Sequence, residues 1–576
     1  MIKAKIPAAN PDANLKSYME TYNNFRWENV VKEFTWHQTG KINIIYEAID
    51  RWALDPTKRD QTAIIFEKDN HLTNFTYGEL QDRSSQWANF LSKYGYKTGD
   101  RLFIFTPSCP EAYLAMLGAC RLGVIFCHLF ASTGFDELAL RLANAKPRGI
   151  ITHPDLLERI PPETKESVQH IFLISGPSPN LFPEEIIIEG LPDQMPKSFE
   201  PIWLELTSPL YMNYTSGSTG PPKGIVHAHK DMMGIILSAR YVLDLHEDTI
   251  LWADADPAWV TGTVYGVFGP LLCGATSLIH GNEFSAANWY WTLEKHHVSV
   301  CYTTPKNLMR LKAAGDNLPT RYDFSDLRHI LTVGAPLVPD LFYWVKQNLN
   351  LSPHDTYWMT ETGMISIANY PSMDIKPGSI GKPLPGIEAA VLDDNGEPLP
   401  PMSTGELALK VGWPAMMTDL WMDNERYQVY FRFKDWFLTG DIAIKDDDGY
   451  YYHQGRNDDL IKVGGDRVIG PFEIELVLCG HPAVNEAAVI SKGTEPGEGI
   501  SHLKAFITIH PNYTPSLRLN HEIKSFVTAN LAPDVVVKEL TFLDELPKTR
   551  SGKLLRRILR AQELGLPGGD ALKMKE

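Results

Sequence analysis

Over the first 350 residues, apolar runs of strand length alternate with amphipathic runs of helix length. RLFIFTP (101–107) is followed by EAYLAMLGACRLG (111–123), VIFCHLFA (124–131), DELALRLANAKP (136–147) and RGIITH (148–153). Strand, helix, strand, helix, strand at this spacing predicts a parallel sheet covered by helices. The stretch AYLAMLGACRLGVIFCHLFA (112–131) imitates a membrane span in length, but Arg121 and Gly123 interrupt it. It reads better as a buried helix, a turn and a buried strand. SGPSPNLFPEEIIIEGLPDQMPK (175–197), rich in proline and acid, reads as an excursion over the surface.

From about residue 380 the pattern changes. VLDDNGEPLPP (391–401) and IAIKDDDGYYYHQGR (442–456) are alternating runs joined at Asn-Gly and Asp-Gly, the turn pairs of β-hairpins. After Arg456 come a helical run (472–481), two strands (484–491 and 503–510), a helix (521–531) and a strand (535–543). The predicted fold class is α/β: a large N-terminal domain of helix-covered sheets with a small β subdomain (1–456), a hinge (457–459) and a small mobile α+β C-terminal domain (460–576).

Composition narrows the function. A formal net charge of -16 lacks the basic surface that nucleic acid requires. Cysteines 109, 120, 127, 273, 301 and 479 form no CxxC pair, which predicts reduced thiols in a cytoplasmic protein. The start has no apolar core of signal-peptide length, so no membrane partner is expected.

YTSGSTGPPKG (214–224) is the strongest local signal. Glycine-rich backbone before a lysine crowds N–H donors around an anion. Lys223 lies between Pro222 and Gly224, so the GxxxxGK[ST] pattern fails, and prolines keep a helix from starting there. Flanked by the strand-like YMNY and IVHAH, it reads as a β-turn-β loop over a nucleotide.

Further pieces follow in order: ADADPAWVTGTVYGVFGPLLCGAT (253–276), LTVGAP (331–336), DTYWMTETG (355–363), LTGD (438–441), GRNDDLIKVGGDRV (455–468) and PKTRSGKLLRR (547–557). Together with the loop they resemble the acyl-adenylate-forming superfamily, and within it the acetyl-CoA synthetase branch. The resemblance runs from about residue 20 to about residue 560. It implies ATP-dependent ligation of acetate to CoA through an enzyme-bound acetyl-AMP, releasing AMP and pyrophosphate, with the reverse, ATP-forming direction open to the same site. A ligase for a slightly larger acid, such as propionate or a branched acid, is the alternative.

The resemblance assigns roles that suit the chemistry of two anions meeting at phosphorus. Thr215, Ser216, Gly217, Ser218, Thr219, Gly220 and Lys223 would hold the departing phosphates. Gly334, Ala335 and Pro336, with Asp355, Thr356, Tyr357, Trp358, Met359 and Thr360, would wall adenine and the α-phosphate; Ala335 stands where many acetyl-CoA synthetases carry Glu. Glu361 would hold Mg²⁺, a hard cation suited to oxygen ligands. Asp441 would accept from the ribose hydroxyls, and Arg456 and Arg467 would meet ribose and phosphate, although an arginine pair also suits surface ion pairing. Lys553 would be the catalytic lysine, reaching the α-phosphate and acyl oxygens; its segment alone fits a basic helix start equally well.

The acyl pocket implied is Trp259, Val260, Thr261, Val333 and Trp358, with the Trp358 indole filling the space a longer acid would occupy. On the CoA side the resemblance implies Gly134, Thr261, Gly464 and Gly465, the last two leaving room for the pantetheine arm. Lys524 lies near Thr528, which stands where the family has an arginine. Asp458 would be the hinge about which the small domain swings between half-reactions. Cys479, His481 and Val484 match a second cation site, through carbonyls; His481 before Pro482 is equally a helix-end histidine. The implied partners are therefore acetate, ATP and CoA, with Lys553 a candidate target of lysine-acylating and deacylating enzymes.

Overall fold

The computed structural model describes residues 6–8, 10, 13–162, 164, 168–176, 185–215, 222–456, 461–464, 467–494, 501–510, 512–531, 535–548 and 554–563. The chain separates into two compact units. The first comprises Met1–Thr215, Pro222–Glu388 and Lys410–Val429; the second comprises Ser216–Pro221, Ala389–Leu409 and Tyr430–Glu576.

The first unit is built on two large sheets. In one, Arg101–Phe105 lies between Ile125–Leu129 and Gly149–Thr152, all parallel. His170–Leu173 and Glu185–Ile187 extend it at one edge. Beyond Ile125–Leu129 come Pro209–Thr215, the antiparallel Lys223–Ala228 and the two-residue edge strand Asp419–Leu420. The helices predicted between these strands are present as Pro110–Leu122 and Phe135–Ala145.

The span-like stretch is thus a helix and a strand, and Arg121 explains how a charge fits inside. It is 1% exposed, and its guanidinium grips both carboxylate oxygens of Asp50 at 2.7 and 2.8 Å while also donating to Ser84. A fork-to-fork pair of this kind compensates two buried charges at once.

The second sheet has a parallel centre: His354–Tyr357, His329–Thr332, Val300–Thr303, Ile250–Ala253, Thr276–His280 and Thr62–Lys68, in that spatial order. Antiparallel strands close both edges, His71–Thr76 at one and Ile367–Ala368 with Lys382–Pro383 at the other. The turn from His71–Thr76 into the helix Tyr77–Lys93 carries a capping box. Thr76 accepts from the Glu79 N–H at 3.1 Å, and Glu79 returns the bond to the Thr76 N–H at 2.9 Å.

In the second unit, Ala389–Leu392, Thr404–Lys410, Trp436–Lys445 and Tyr451–Arg456 form a four-stranded sheet with the hairpins the Asn-Gly and Asp-Gly pairs predict. Val484–Thr494, Ser501–Ile509 and Val537–Phe542 form a second sheet. The helices Pro471–Cys479 and Leu517–Asn530 share its apolar core, in which Ile474, Val489, Ala505, Ile523 and Val527 are fully buried. The expected hinge 457–459 lies outside the described residues.

Candidate active site

In open α/β sheets, ligands bind beyond the carboxyl ends of parallel strands. The residues read as the acyl pocket follow such ends. Val333 and Gly334 continue His329–Thr332, Trp358 continues His354–Tyr357, and Trp259 to Thr261 lie in the loop and helix after Ile250–Ala253. Gly334 and Ala335 form an exposed bend there, and Gly334 has φ +88°. A Cβ at Gly334 would come within 3.1 Å of the Trp259 ring, so a side chain there would meet both backbone strain and a tight contact.

Val260, Val333 and Trp358 are buried. Thr261 is 1% exposed, and its hydroxyl finds no hydrogen-bond partner among the described residues. Asp355 spends its carboxylate on the protein, accepting from the Thr332 hydroxyl at 2.7 Å and the Leu337 N–H at 3.0 Å. It thereby ties down the loop 333–337 that carries Gly334, Ala335 and Pro336.

The indole of Trp358 is held from two directions. Its Nε1–H donates to the Tyr302 hydroxyl at 3.0 Å, and Tyr265 meets it edge to face, ring centres 5.0 Å apart. Tyr265 lies within the motif 253–276, where the resemblance gives it no role, and Tyr302 lies outside every motif.

The glycine run read as a phosphate loop lies between two paired strands. Thr215 pairs with Lys223 where Pro209–Thr215 and Lys223–Ala228 meet, so the ends of the glycine run are fixed in register. Ser216, Gly217, Ser218, Thr219 and Gly220 themselves lie outside the described residues. Four residues after Lys223, the buried ring of His227 lies between the Asp231 carboxylate (2.6 Å from Nδ1) and the Thr360 carbonyl (2.7 Å from Nε2). A carbonyl can only accept, so Nε2 carries a proton. Tyr211 stacks on the ring at 4.8 Å.

His227 thus joins the phosphate hairpin to the turn bearing Glu361. That turn is fixed again by the Met417 N–H, which donates to the Glu361 carbonyl at 3.0 Å, and by the Trp413 indole, which donates to the Thr362 carbonyl at 2.9 Å. Gly363 closes it at φ +68°, where a Cβ would lie 2.1 Å from the Ala415 carbonyl. The His227 link was missed in the sequence because it joins residues 133 apart.

Gly134 opens the helix Phe135–Ala145 of the first unit, its carbonyl accepting the Leu138 N–H at 3.0 Å.

Within the second unit, Asp441 on Trp436–Lys445 is paired in register with Arg456 on Tyr451–Arg456. The Arg456 guanidinium lies 3.2 Å from the Asp441 carboxylate, and His453 lies 3.7 Å from the same oxygen. Arg456 therefore forms an ion pair with the residue read as ribose-binding. Gly464 and Arg467 close the hairpin of Ile461–Gly464 and Arg467–Ile469. The Lys524 ammonium donates to the Lys538 carbonyl at 3.3 Å.

Cys479, His481 and Val484 lie in the turn between the helix Pro471–Cys479 and the strand Val484–Thr494. The His481 carbonyl accepts the Val484 N–H at 2.9 Å, and burial pushes the Cys479 thiol up to about 12. Among the described residues no group of three His, Cys, Asp or Glu side chains could hold a metal. Lys553, Asp458 and Gly465 lie outside the described residues. Among the described residues no helix is long and apolar enough to cross a membrane.

The residues read as the acyl pocket gather after the carboxyl ends of parallel strands, and comparison with known proteins shows the enzyme class. Residues 50–421 match the family model described as AMP-binding enzyme, and residues 473–553 match its C-terminal domain. The acetyl-coenzyme A synthetase of Bacillus subtilis (strain 168) is 44% identical over 99% of this chain and 99% of its own. That of Methanothrix soehngenii is 34% identical, over 97% of this chain and 88% of its own. A solved anthranilate CoA ligase, in complex with anthranoyl-AMP, superposes with a TM-score of 0.81 at 27% identity, covering 92% of this chain and 98% of that one. The chain belongs to the AMP-binding enzyme family, on its acetyl-coenzyme A synthetase branch.

Proposed function

We propose that the protein joins acetate to coenzyme A in two steps. The acetate carboxylate attacks the α-phosphorus of ATP, forming acetyl-AMP and expelling pyrophosphate. The CoA thiol then attacks the acyl carbon, forming the thioester and releasing AMP. The observation that carries the choice of acid is the Trp358 indole, buried at the end of a parallel strand and held by Tyr302 and Tyr265. An indole there leaves space for little beyond a methyl group.

In this reading Thr215 to Gly220, with Lys223, receive the pyrophosphate, and Lys553 approaches the α-phosphate. A preorganised cation of that kind typically lowers the barrier by about 3–4 kcal/mol. Asp441 accepts from the ribose hydroxyls, with Arg456 beside it. Arg467 meets phosphate charge, and Gly464, Gly465 and Gly134 line the thioester side, with Lys524 toward the CoA phosphates. Asp458 serves as the pivot between half-reactions.

Glu361 suits Mg²⁺: it offers a carboxylate on a turn pinned through its own carbonyl, and Mg²⁺ ordinarily takes one or two carboxylates with phosphate oxygens completing its shell. Bound there, the cation would neutralise charge on the phosphates. The assignment of Cys479, His481 and Val484 to a second cation rests on the family resemblance alone. Cytoplasmic location and acylation at Lys553 belong to the same reading.

Pyrophosphate release measured across straight and branched acids of two to eight carbons, with and without CoA, tests the assignment. Acetate is expected to give the highest kcat/KM, with thioester formed only when CoA is present. A higher value for propionate or a branched acid would transfer the assignment to that acid.

A further inference from the structure

We propose that Tyr302 is a specificity-determining positioning residue: its hydroxyl holds the Trp358 indole in the orientation that closes the acyl pocket. This rests on the reading of Trp358 as the end of that pocket. Each proton in the chain of bonds has a determined direction. The indole Nε1–H can only donate, and the Tyr302 oxygen receives it at 3.0 Å. The Thr356 hydroxyl donates to the Thr332 carbonyl at 2.8 Å, which can only accept. Tyr302 therefore gives its own proton to the Thr356 oxygen, 2.7 Å away. The chain runs from Trp358 through Tyr302 and Thr356 and ends on the backbone of the strand His329–Thr332, next to Val333.

The groups that hold the ring are themselves fixed. Tyr302 is fully buried in Val300–Thr303, and burial raises its phenol far above the ordinary range, so the hydroxyl keeps its proton. Tyr265, which packs edge to face on the indole, is fixed in the same manner. It accepts the Ile365 N–H at 2.7 Å and lies 2.7 Å from the Ser238 hydroxyl, which itself donates to the Gly234 carbonyl at 2.8 Å. Removing the Tyr302 hydroxyl leaves a buried indole N–H without its acceptor. The ring must then rotate or admit water, and either change loosens the end of the pocket.

The test compares kcat/KM for acetate and propionate by pyrophosphate release, in the full-length protein and in Tyr302→Phe, Trp358→Gly, Trp358→Phe and Tyr302→Phe/Trp358→Phe. Tyr302→Phe is expected to raise the propionate-to-acetate ratio about tenfold, within the range one methylene can discriminate. The same change added to Trp358→Phe is expected to leave the ratio unmoved, because no indole N–H remains to be held. Should Tyr302→Phe not fold, Thr356→Val removes the next acceptor and should shift the ratio the same way. An unchanged ratio in Tyr302→Phe, or for lack of folded protein in Thr356→Val, overturns the positioning role if Trp358→Gly does shift it. An unchanged ratio in Trp358→Gly overturns the reading of Trp358 itself.

Discussion

Thr261 carries a hydroxyl without a partner among the described residues, although the residue is 1% exposed. A buried hydroxyl in that condition costs about 1–3 kcal/mol relative to an apolar group of the same shape. Its retention is explained if a ligand supplies the missing partner, which is where the pocket reading places it. Thr261→Val should therefore raise the thermal midpoint while lowering kcat/KM for acetate about tenfold, the loss of one ligand hydrogen bond. Calorimetry alongside steady-state kinetics checks both signs; a fall in midpoint would mean the hydroxyl is satisfied within the protein. Asp355 makes the opposite case. It falls in a motif read as ligand-binding, yet its carboxylate is engaged by Thr332 and Leu337, so in that reading its effect on a ligand passes through the loop it holds.

Among elements, the start of the last described helix is tied to its neighbours. Lys548 bridges to Leu554, the Leu555 N–H donates to the Pro547 carbonyl at 2.9 Å, and Lys548 pairs with Glu486. Just beyond, Arg556 donates to both oxygens of buried Glu475, at 2.6 and 2.9 Å. Glu475 also accepts the Val489 N–H at 2.8 Å, so one carboxylate joins a helix, a strand and the root of the helix Arg556–Glu563. Arg556→Met would remove both guanidinium bonds to that buried carboxylate, a loss of about 3–5 kcal/mol. Unfolding of the variant in urea should show it, and Glu475→Gln added to Arg556→Met should recover part of the loss.

The elements themselves were largely legible. Helix 110–122 and strand 125–129 follow from apolar length and a glycine, and both hairpins of the small sheet follow from their turn pairs. What was not legible is cross-chain chemistry. Trp358 and Tyr302 are 56 residues apart, and His227 and Thr360 are 133 apart. No periodicity encodes such pairs: the strands leading to Trp358 and holding Tyr302 have His329–Thr332 between them, and His227 and the strand leading to Thr360 belong to different sheets. The Arg456 pairing was half visible: an ion pair was one of two readings, and register with Asp441 supplies its partner.

At the scale of the whole molecule, the proposed mechanism divides labour between segments far apart in the chain. Lys553→Ala should reduce acetyl-AMP formation at least a hundredfold, the usual cost of losing such a donor, while largely sparing transfer from supplied acetyl-AMP to CoA. Separate assays of pyrophosphate release and of thioester formation from acetyl-AMP distinguish the two, and equal loss in both would remove the role given to Lys553.

The first unit is also discontinuous in sequence. The chain leaves it at Glu388 and returns at Lys410, and what returns includes Asp419–Leu420, paired to Ile225 and Val226, and Trp413 and Met417, bonded to the Glu361 turn. A protein shortened at residue 388 would therefore not be a smaller version of this unit. It would expose the outer edge of the hairpin of Pro209–Thr215 and Lys223–Ala228 as an unpaired strand and release two ties on the Glu361 turn, so a self-sufficient fragment has to keep the segment through Leu420.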